Sequence, residues 1–479
     1  MKTLPSLILA TAALALAAST NILGAVTPAI VPKLQTVFTN PAPTHVKAFG
    51  ESLAAIGADR VLIGAWDDQT LGFPAAGAAY LFNTNGALLV TFTNPIPADD
   101  DDGFGTSLAA VGTNLVIGGA FLNDTGASNA GAAYLFSTSG TLLTTFSNPT
   151  PEADGYFGFP VAAVGLDRVL IGASGHREGA VVAGAVYLFH TNGALLTTFT
   201  NPSPRNYDSF GSAAVSVGIT CVLVGAPGDD TGAENSGAAY LFTTNGALLN
   251  VFTNPSPVDS GNFGRSVATV GADRVLIGAP DITGAAYLFS TNGALLTTFT
   301  NPTPTDYDSF GISVASVGSG RVLIGDYTDD IEATDSGAAY LFDASGRLLT
   351  VFTNPTPWDT DLFGYRVAAA GNERVLIGAG LDDQFGLEAG IAYLFTLEPP
   401  SPPAPSLSIS LHPQFSILTV AWPAPSEGWL LEGTNALPSV PTSAWTLVPP
   451  PYQTNAGTIS VTLTNQPATG NQFFRLRQP

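Results

Sequence analysis

The sequence predicts an all-β protein: a seven-bladed β-propeller, closed by its N-terminal strand and followed by a small C-terminal β-sandwich. Three observations predict this fold. A Phe-Gly pair recurs seven times, and each pair opens a unit of four short strands. An unpaired copy of the fourth strand precedes the first unit. Only 11% of the 479 residues are charged, whereas Gly and Pro number 52 and 36, a composition that excludes helical bundles and coiled coils.

The repeated unit has a constant order of elements. Its Phe-Gly pairs begin at residues 49, 104, 157, 210, 263, 310 and 363. In the fifth unit the predicted strands are 266–270, 274–279, 284–289 and 295–299, and Asn292-Gly293, a strong hairpin signal, joins the last two. The second strand is apolar throughout, so it must be buried on both faces. Four-stranded units whose sheets are covered on both sides are typical of propeller blades.

The two ends of the repeat array predict how it closes. The seventh unit stops after its third strand, and the segment 34–41, which matches a fourth strand, stands before the first unit. The N-terminal strand can therefore complete the last blade and remove the exposed sheet edges.

Four segments follow from this organisation. We expect a signal peptide at residues 1–25, where Lys2 precedes an apolar stretch and small residues. The propeller is expected at 33–397, a Pro-rich linker at 398–406 and the sandwich at 407–479. We expect a secreted or cell-surface protein with no integral membrane segment after signal removal.

Charge and composition exclude several functions. A net charge of −22 argues against nucleic acid and anionic membranes as partners, since both require clustered cations. A single cysteine, Cys221, permits no internal disulfide. The chain has only four histidines and no Gly-x-Ser-x-Gly motif. We therefore do not expect an enzyme.

The repeat motifs resemble those of a known family. The Phe-Gly pair, the Gly-Ala-Pro at 225–227 and 278–280, and the Gly-Ala-Ala-Tyr-Leu-Phe strand are similar to FG-GAP repeats. Such repeats build the seven-bladed propeller of integrin α-subunits and of many bacterial secreted proteins. The resemblance is specific for the fold and a weak guide to function. Integrin-type repeats often carry an Asp-x-Asp-x-Asp-Gly calcium loop between the first two strands, whereas this chain has short turns such as 57–60.

The C-terminal segment has a resemblance of its own. Its Ala-Trp-Pro, Gly-Trp-Leu-Leu-Glu and Phe-Phe-Arg-Leu-Arg motifs, at 421–423, 428–432 and 473–477, are similar to C-terminal modules of verrucomicrobial secreted proteins. Export sorting, surface attachment and spacing all remain open as its role.

Acidic residues concentrate at one end of the predicted ring. The loops between second and third strands and the crossings between units hold 28 of the 37 acidic residues. Five units carry a polar pair there: Asp67-Asp68, Asn123-Asp124, Asp229-Asp230, Asp329-Asp330 and Asp382-Asp383. These side chains either close Asx turns or bind a ligand. Trp66 and Trp358 are the aromatic residues on this face best suited to contact a partner.

Calcium is an open alternative at the same loops, and we expect no other cofactor. Calcium takes about six to eight oxygen ligands, which carboxylates supply. The candidate ligands are Asp99, Asp100, Asp101, Asp102, Asp326, Asp329 and Asp330.

We therefore expect a non-catalytic binding or adhesion protein whose acidic loop face binds an extracellular protein or carbohydrate. One alternative is a polysaccharide lyase or hydrolase, which an Asp-His or Asp-Tyr cluster over the ring axis would favour. The other is a purely structural surface protein, which self-assembly without ligand binding would favour.

Overall fold

The computed structural model describes two compact units, residues 1–399 and 400–479. The described residues are 30–42, 48–69, 75–95, 101–281, 284–304, 307–384, 389–398, 407–412, 417–423, 429–434, 446–449, 452–455, 458–463 and 473–477. The expected signal peptide and residues 399–406 of the expected linker lie outside them. The described residues form strands and turns without a helix, as an all-β prediction requires. Accordingly, none of their segments is an apolar helix that could cross a membrane.

The described residues of the first unit form seven four-stranded antiparallel sheets, numbered I to VII in chain order. Sheets I and II comprise Ser52–Ile56, Arg60–Ala65, Ala78–Asn83 and Leu88–Thr93, then Phe104–Val111, Leu115–Ala120, Ala132–Ser137 and Leu142–Ser147. Sheets III and IV comprise Phe157–Val164, Arg168–Ala173, Ala185–His190 and Leu195–Thr200, then Ala213–Val217, Cys221–Ala226, Ala238–Thr243 and Leu248–Thr253. Sheets V and VI comprise Ser266–Val270, Arg274–Ala279, Ala285–Ser290 and Leu295–Thr300, then Ser313–Val317, Arg321–Asp326, Ala338–Asp343 and Leu348–Thr353.

Sheet VII is assembled from both ends of the unit. Its first three strands are Phe363–Ala369, Arg374–Ala379 and Ile391–Glu398, and its fourth is the N-terminal strand Val31–Thr39. The third and fourth strands pair antiparallel, with Phe38 opposite Ala392. In the other six sheets the fourth strand is the next one along the chain. A short hairpin outside these sheets, Arg177–Glu178 with Val181–Val182, extends the loop between the second and third strands of sheet III.

Neighbouring sheets approach most closely at a glycine of the second strand. A Cβ atom built on Gly278 would lie 2.0 Å from the carbonyl oxygen of Gly311, the glycine of the next Phe-Gly pair. Gly311 has a φ of 98°, a backbone conformation that residues with a side chain rarely adopt. The same contact recurs between Gly378 of sheet VII and the oxygen of Gly50, at 2.1 Å. Backbone contact between sheets therefore requires both glycines of the repeat.

Hydrophobic clusters fill the spaces between sheets. Six clusters join consecutive sheets from I to VII. A seventh contains Val61 and Tyr80 of sheet I together with Leu376 and Leu394 of sheet VII. The second strands are buried on both faces, as their unbroken apolar sequence predicts. Four-stranded antiparallel sheets packed face to face in chain order form a β-propeller architecture.

The second unit consists of two smaller sheets. One contains Ser408–His412, Ile417–Pro423, Thr458–Leu463 and Gln453–Asn455, and the other contains Thr446–Leu447, Leu430–Thr434 and Phe473–Arg477. The strand Gln453–Asn455 consists of three polar residues, so its sequence has no alternating pattern. Val420, Trp422 and Leu431 form the buried core.

The N-terminal strand supplies one deeply buried ring to the core. Phe38 is 1% exposed and packs on Phe82 of sheet I, with ring centroids 5.3 Å apart. We expect Phe38→Ala to lower the free energy of unfolding by about 3–5 kcal/mol, through lost burial and the remaining cavity. Val37, which is 39% exposed, provides the control, and Val37→Ala should cost less than about 1 kcal/mol. Urea unfolding of both variants measures the difference, and equal effects would contradict this role of the strand.

Candidate functional site

The predicted acidic pairs lie where the second strand of a sheet ends and its loop begins. In four sheets one aspartate of the pair is buried: Asp68, Asp229, Asp329 and Asp382. Each accepts a hydrogen bond from the tyrosine hydroxyl of the third strand. In sheet IV the distance from the Tyr240 hydroxyl to Oδ2 of Asp229 is 2.6 Å. These carboxylates therefore tie the loop to the third strand.

The other members of the pairs differ in position. Asp230, Asp330 and Asp383 are exposed and follow the buried residue. In the pair Asp67-Asp68 the buried residue is the second one, so this pair is shifted by one position relative to the others. Oδ1 of Asp330 accepts the backbone N–H of Asp335 at 2.7 Å. Oδ1 of Asp230 likewise accepts the backbone N–H of Asn235, also five residues further along the chain. Exposed Asp230 and Asp330 thus hold their loops through a contact five residues on, whereas the Asx contact two residues on is made by buried Asp229, Asp329 and Asp382.

Sheet III carries a different pair at the equivalent position. His176 takes the place of the buried aspartate, and its Nδ1 lies 2.7 Å from Oε1 of Glu152. Thr150 contacts both His176 and the hydroxyl of Tyr187. His176 is thus a partly buried member of the same loop network, and not the solvated residue that loop sequences usually contain.

Asparagine amide groups donate hydrogen bonds to several of the carboxylates expected to bind a metal ion. Nδ2 of Asn301 lies 2.8 Å from Asp308, 3.0 Å from Asp326 and 3.3 Å from Asp329, so an amide group stands between the three carboxylates. Asp102 likewise accepts the amides of Asn94 and Asn123.

The remaining candidate ligands do not complete a metal site. Asp101 and Asp330 are exposed, and Asp99 and Asp100 lie outside the described residues. Within the part of the chain that the structure describes, no three Asp, Glu, His or Cys residues are arranged to hold a metal ion. These residues therefore do not fit a resident calcium ion.

Burial of these aspartates changes their acidity. Burial, together with the neighbouring carboxylate of Asp308, raises the pKa of Asp326 to about 7. Burial also raises the pKa of Asp361 to about 7, partly opposed by the backbone N–H of Trp358. The loop network thus contains carboxyl groups that take up protons near neutral pH.

Three aromatic side chains on the crossings between sheets face solvent. Tyr207, Tyr307 and Trp358 are 72%, 75% and 66% exposed. Tyr207 borders a groove of about 670 Å³ together with Asp230 and Glu234. An aromatic face beside two carboxylates can stack on a ligand and accept its hydrogen bonds.

Trp66 directly precedes Asp67-Asp68, at the end of the second strand of sheet I, and is partly buried. Its Nε1 donates a hydrogen bond of 2.8 Å to Oε2 of Glu51, the residue that follows the first Phe-Gly pair. Near it is a cavity of about 190 Å³, which we call the central cavity, lined by the first strands of all seven sheets. Arg265 and Arg366 are the charged residues in its lining.

The residues after the Phe-Gly pairs carried a signal that the sequence analysis missed. Where the rest of the repeat is nearly constant, this position holds Glu51, Thr106, Phe159, Ser212, Arg265, Ile312 and Tyr365. Five of these seven line the central cavity. Variation at one position within constant repeats would have indicated a specialised surface.

The raised pKa of Asp326 predicts how stability depends on pH. In the unfolded chain this carboxyl titrates near its ordinary value of 3.8, so unfolding between that pH and about 7 releases a proton. The stability that it contributes is therefore complete below pH 3.8, falls as the pH rises to about 7 and is absent above. We expect Asp326→Asn to raise the free energy of unfolding at high pH by about 2–4 kcal/mol, with no difference from wild type in acid.

Urea unfolding across the pH range checks this expectation. Asp330→Asn is the control, because Asp330 is the exposed residue of the same loop. Its pH dependence should match that of wild type. A destabilised Asp326→Asn variant at high pH would show that the ionised carboxylate stabilises the loop.

Comparison with known proteins yields one sequence match. Residues 97–136, 198–242, 299–342 and 355–395 match the model of the FG-GAP repeat. Each segment ends at the Phe of a Tyr-Leu-Phe third strand. No curated protein sequence matches the chain.

Several solved structures superimpose on this chain, two of those named here with a TM-score of at least 0.50. U3-55K superimposes with a TM-score of 0.50 at 11% identity, covering 76% of this chain and 98% of that one. Raptor from Chaetomium thermophilum superimposes with a TM-score of 0.51 at 11% identity, covering 76% of this chain and 29% of that one. The WD40 β-propeller domain of Doa1 superimposes with a TM-score of 0.49 at 11% identity, covering 77% of this chain and 97% of that one. The chain therefore contains FG-GAP repeats, four of them by sequence match, within a β-propeller architecture.

Proposed function

We propose that this chain is a secreted, non-catalytic binding or adhesion protein built on a closed seven-bladed propeller. Three observations support closure: the N-terminal strand 31–39 completes sheet VII, sheets VII and I share a hydrophobic cluster, and Gly378 approaches Gly50. A cavity that all seven first strands line is also expected when blades surround one axis. Sheets I to VII are then the seven blades.

For residues 407–479 we infer a small β-sandwich. Its support is the core in which Trp422 of one sheet and Leu431 of the other are both buried. Sheets that share one buried layer are the basis of sandwich folds.

The exposed aromatic residues carry the binding proposal. Tyr207 has a φ of 70° and is 72% exposed. A bulky residue rarely adopts this backbone conformation, and its exposed ring gains little from packing. The residue type at this position is therefore better explained by contact with a partner than by stability. Tyr307 repeats both features, with a φ of 73°.

The chemistry of the groove favours an extracellular carbohydrate. Sugar rings present C–H groups to aromatic faces and hydroxyl donors to carboxylates such as those of Asp230 and Glu234. The net charge of −22 opposes polyanionic ligands at this face. A cationic protein surface is the other partner class that this face would accept.

A non-catalytic role follows from how the polar contacts are distributed. An acid–base centre gathers its groups at one point. Here the Asp–Tyr contacts occur once per sheet, in sheets I, IV, VI and VII. They repeat a structural device of the loops and do not distinguish one blade as a reaction centre.

The groove makes a direct test available. We expect the mature protein to retain neutral glycans on an array and Tyr207→Ala to weaken the affinity for any retained glycan about tenfold or more. Leu166→Ala is the control, because Leu166 is 74% exposed in a turn between first and second strands, at the opposite end of its sheet. Equal affinity of both variants would reject the groove, and retention of cationic proteins alone would reject carbohydrate as the ligand.

Calcium should have no part in this binding. Because amide donors occupy the candidate oxygens around Asn301, the melting temperature should be the same in calcium and in a calcium chelator. Differential scanning calorimetry measures it. A higher melting temperature in calcium would show that a cation displaces the amide.

A further inference from the structure

The central cavity differs in charge from the rest of the protein. The chain has only 15 Lys and Arg residues against 37 acidic ones, yet both charged residues in the cavity lining are arginines, Arg265 and Arg366. Within the described ranges, neither guanidinium lies within 4.0 Å of a carboxylate. Two like charges at one cavity are unfavourable unless an anion joins them.

Arg366 is held in place by its neighbours. Its guanidinium carbon lies 4.6 Å from the ring centroid of Tyr365, and its Nη1 donates to the carbonyl oxygen of that residue. Tyr365 in turn packs edge-on against Tyr327, with centroids 5.4 Å apart. Such support fixes the direction of a binding group before the ligand arrives.

Arg265 has no side-chain hydrogen bond within the described part of the chain. Burial lowers its pKa, and the positive charge of Arg366 lowers it further. Arg265 is partly buried, and a guanidinium presents five N–H donors in a planar fork, so the donors turned from solvent have no acceptor among the described residues. Its unused donors face a cavity large enough for about six water molecules.

The carboxylate of Glu51, which acts electrostatically on Arg366, is already committed. Glu51 accepts the indole N–H of Trp66 at 2.8 Å, and burial raises its pKa. Two positive charges therefore act on the cavity, while the carboxylate of Glu51 is held by Trp66. The other side chains in the lining include Phe159, Pro160 and Ile312, which suit a short apolar segment.

We propose that the central cavity binds the carboxylate of a small organic acid, or of an acidic group on a larger molecule, between Arg265 and Arg366. Guanidinium and carboxylate match as paired N–H donors and oxygen acceptors, which favours a carboxylate over a spherical anion. The side chains of Phe159, Pro160 and Ile312 receive the carbon atoms next to the carboxylate. This site is separate from the groove at Tyr207. The cavity favours a negatively charged group, whereas the carboxylates of the groove disfavour one.

Propionate is a suitable probe, and propionamide is its neutral counterpart. In isothermal titration calorimetry at low salt we expect the full chain to bind propionate and not propionamide. Arg265→Gln and Arg366→Gln should each weaken propionate binding about tenfold or more. Arg347→Gln removes the same charge from an exposed arginine that bonds Asp343, and should bind as wild type does.

Folding of the variants is checked without ligand. Because Arg265→Gln removes a desolvated charge repelled by Arg366, its melting temperature should equal or exceed that of wild type. Failure of wild type to bind propionate, or equal binding by Arg265→Gln, would overturn the proposal, as would binding of inorganic phosphate alone.

Two further measurements refine the assignment. Titration with glucuronate and with a uronate oligosaccharide separates a free acid from a carboxylate carried by a polymer. Tyr207→Ala leaves the cavity intact and should bind propionate normally, so failure of the groove and failure of this site are distinguishable.

Discussion

The close contact between glycine backbones of adjacent sheets is the constraint on which the rest of the structure depends. Gly278 admits no Cβ because the oxygen of Gly311 lies 2.0 Å from where that atom would be. The contact recurs from each sheet to the next and again between Gly378 and Gly50. It brings the first strands of all sheets close together, and the apolar second strands are then buried between two neighbours.

The same constraint explains where variation is tolerated. The Phe of each pair is buried in the core and the Gly makes the contact between sheets. The side chain that follows them is needed for neither. This position could therefore differ in every repeat, and it supplies Arg265 and Ile312 to the central cavity. Diversity within a rigid, repeated frame is also how loops on other scaffolds acquire specificity.

Many acidic residues of the loops stabilise the fold through hydrogen bonds and are not available to a partner. The buried aspartates accept tyrosine hydroxyls and amides, and three of them surround the single amide of Asn301. Burial raises the pKa of one of them, Asp326, to about 7. The surface available to a partner is formed instead by exposed residues such as Tyr207, Trp358 and Asp230.

The sequence by itself determined the strand order, the turns and the pairing of an N-terminal strand with the last repeat, because periodicity and Asn-Gly turns are local signals. It could not separate buried Asp229 from exposed Asp230, since adjacent acids look alike until the loop is folded. Nor could it bring Arg265 and Arg366 to one cavity, because residues 101 positions apart meet only through the arrangement of the sheets. Tertiary structure decided these points because the burial of a side chain, its hydrogen-bond partners and the electrostatic field around it depend on distances across sheets.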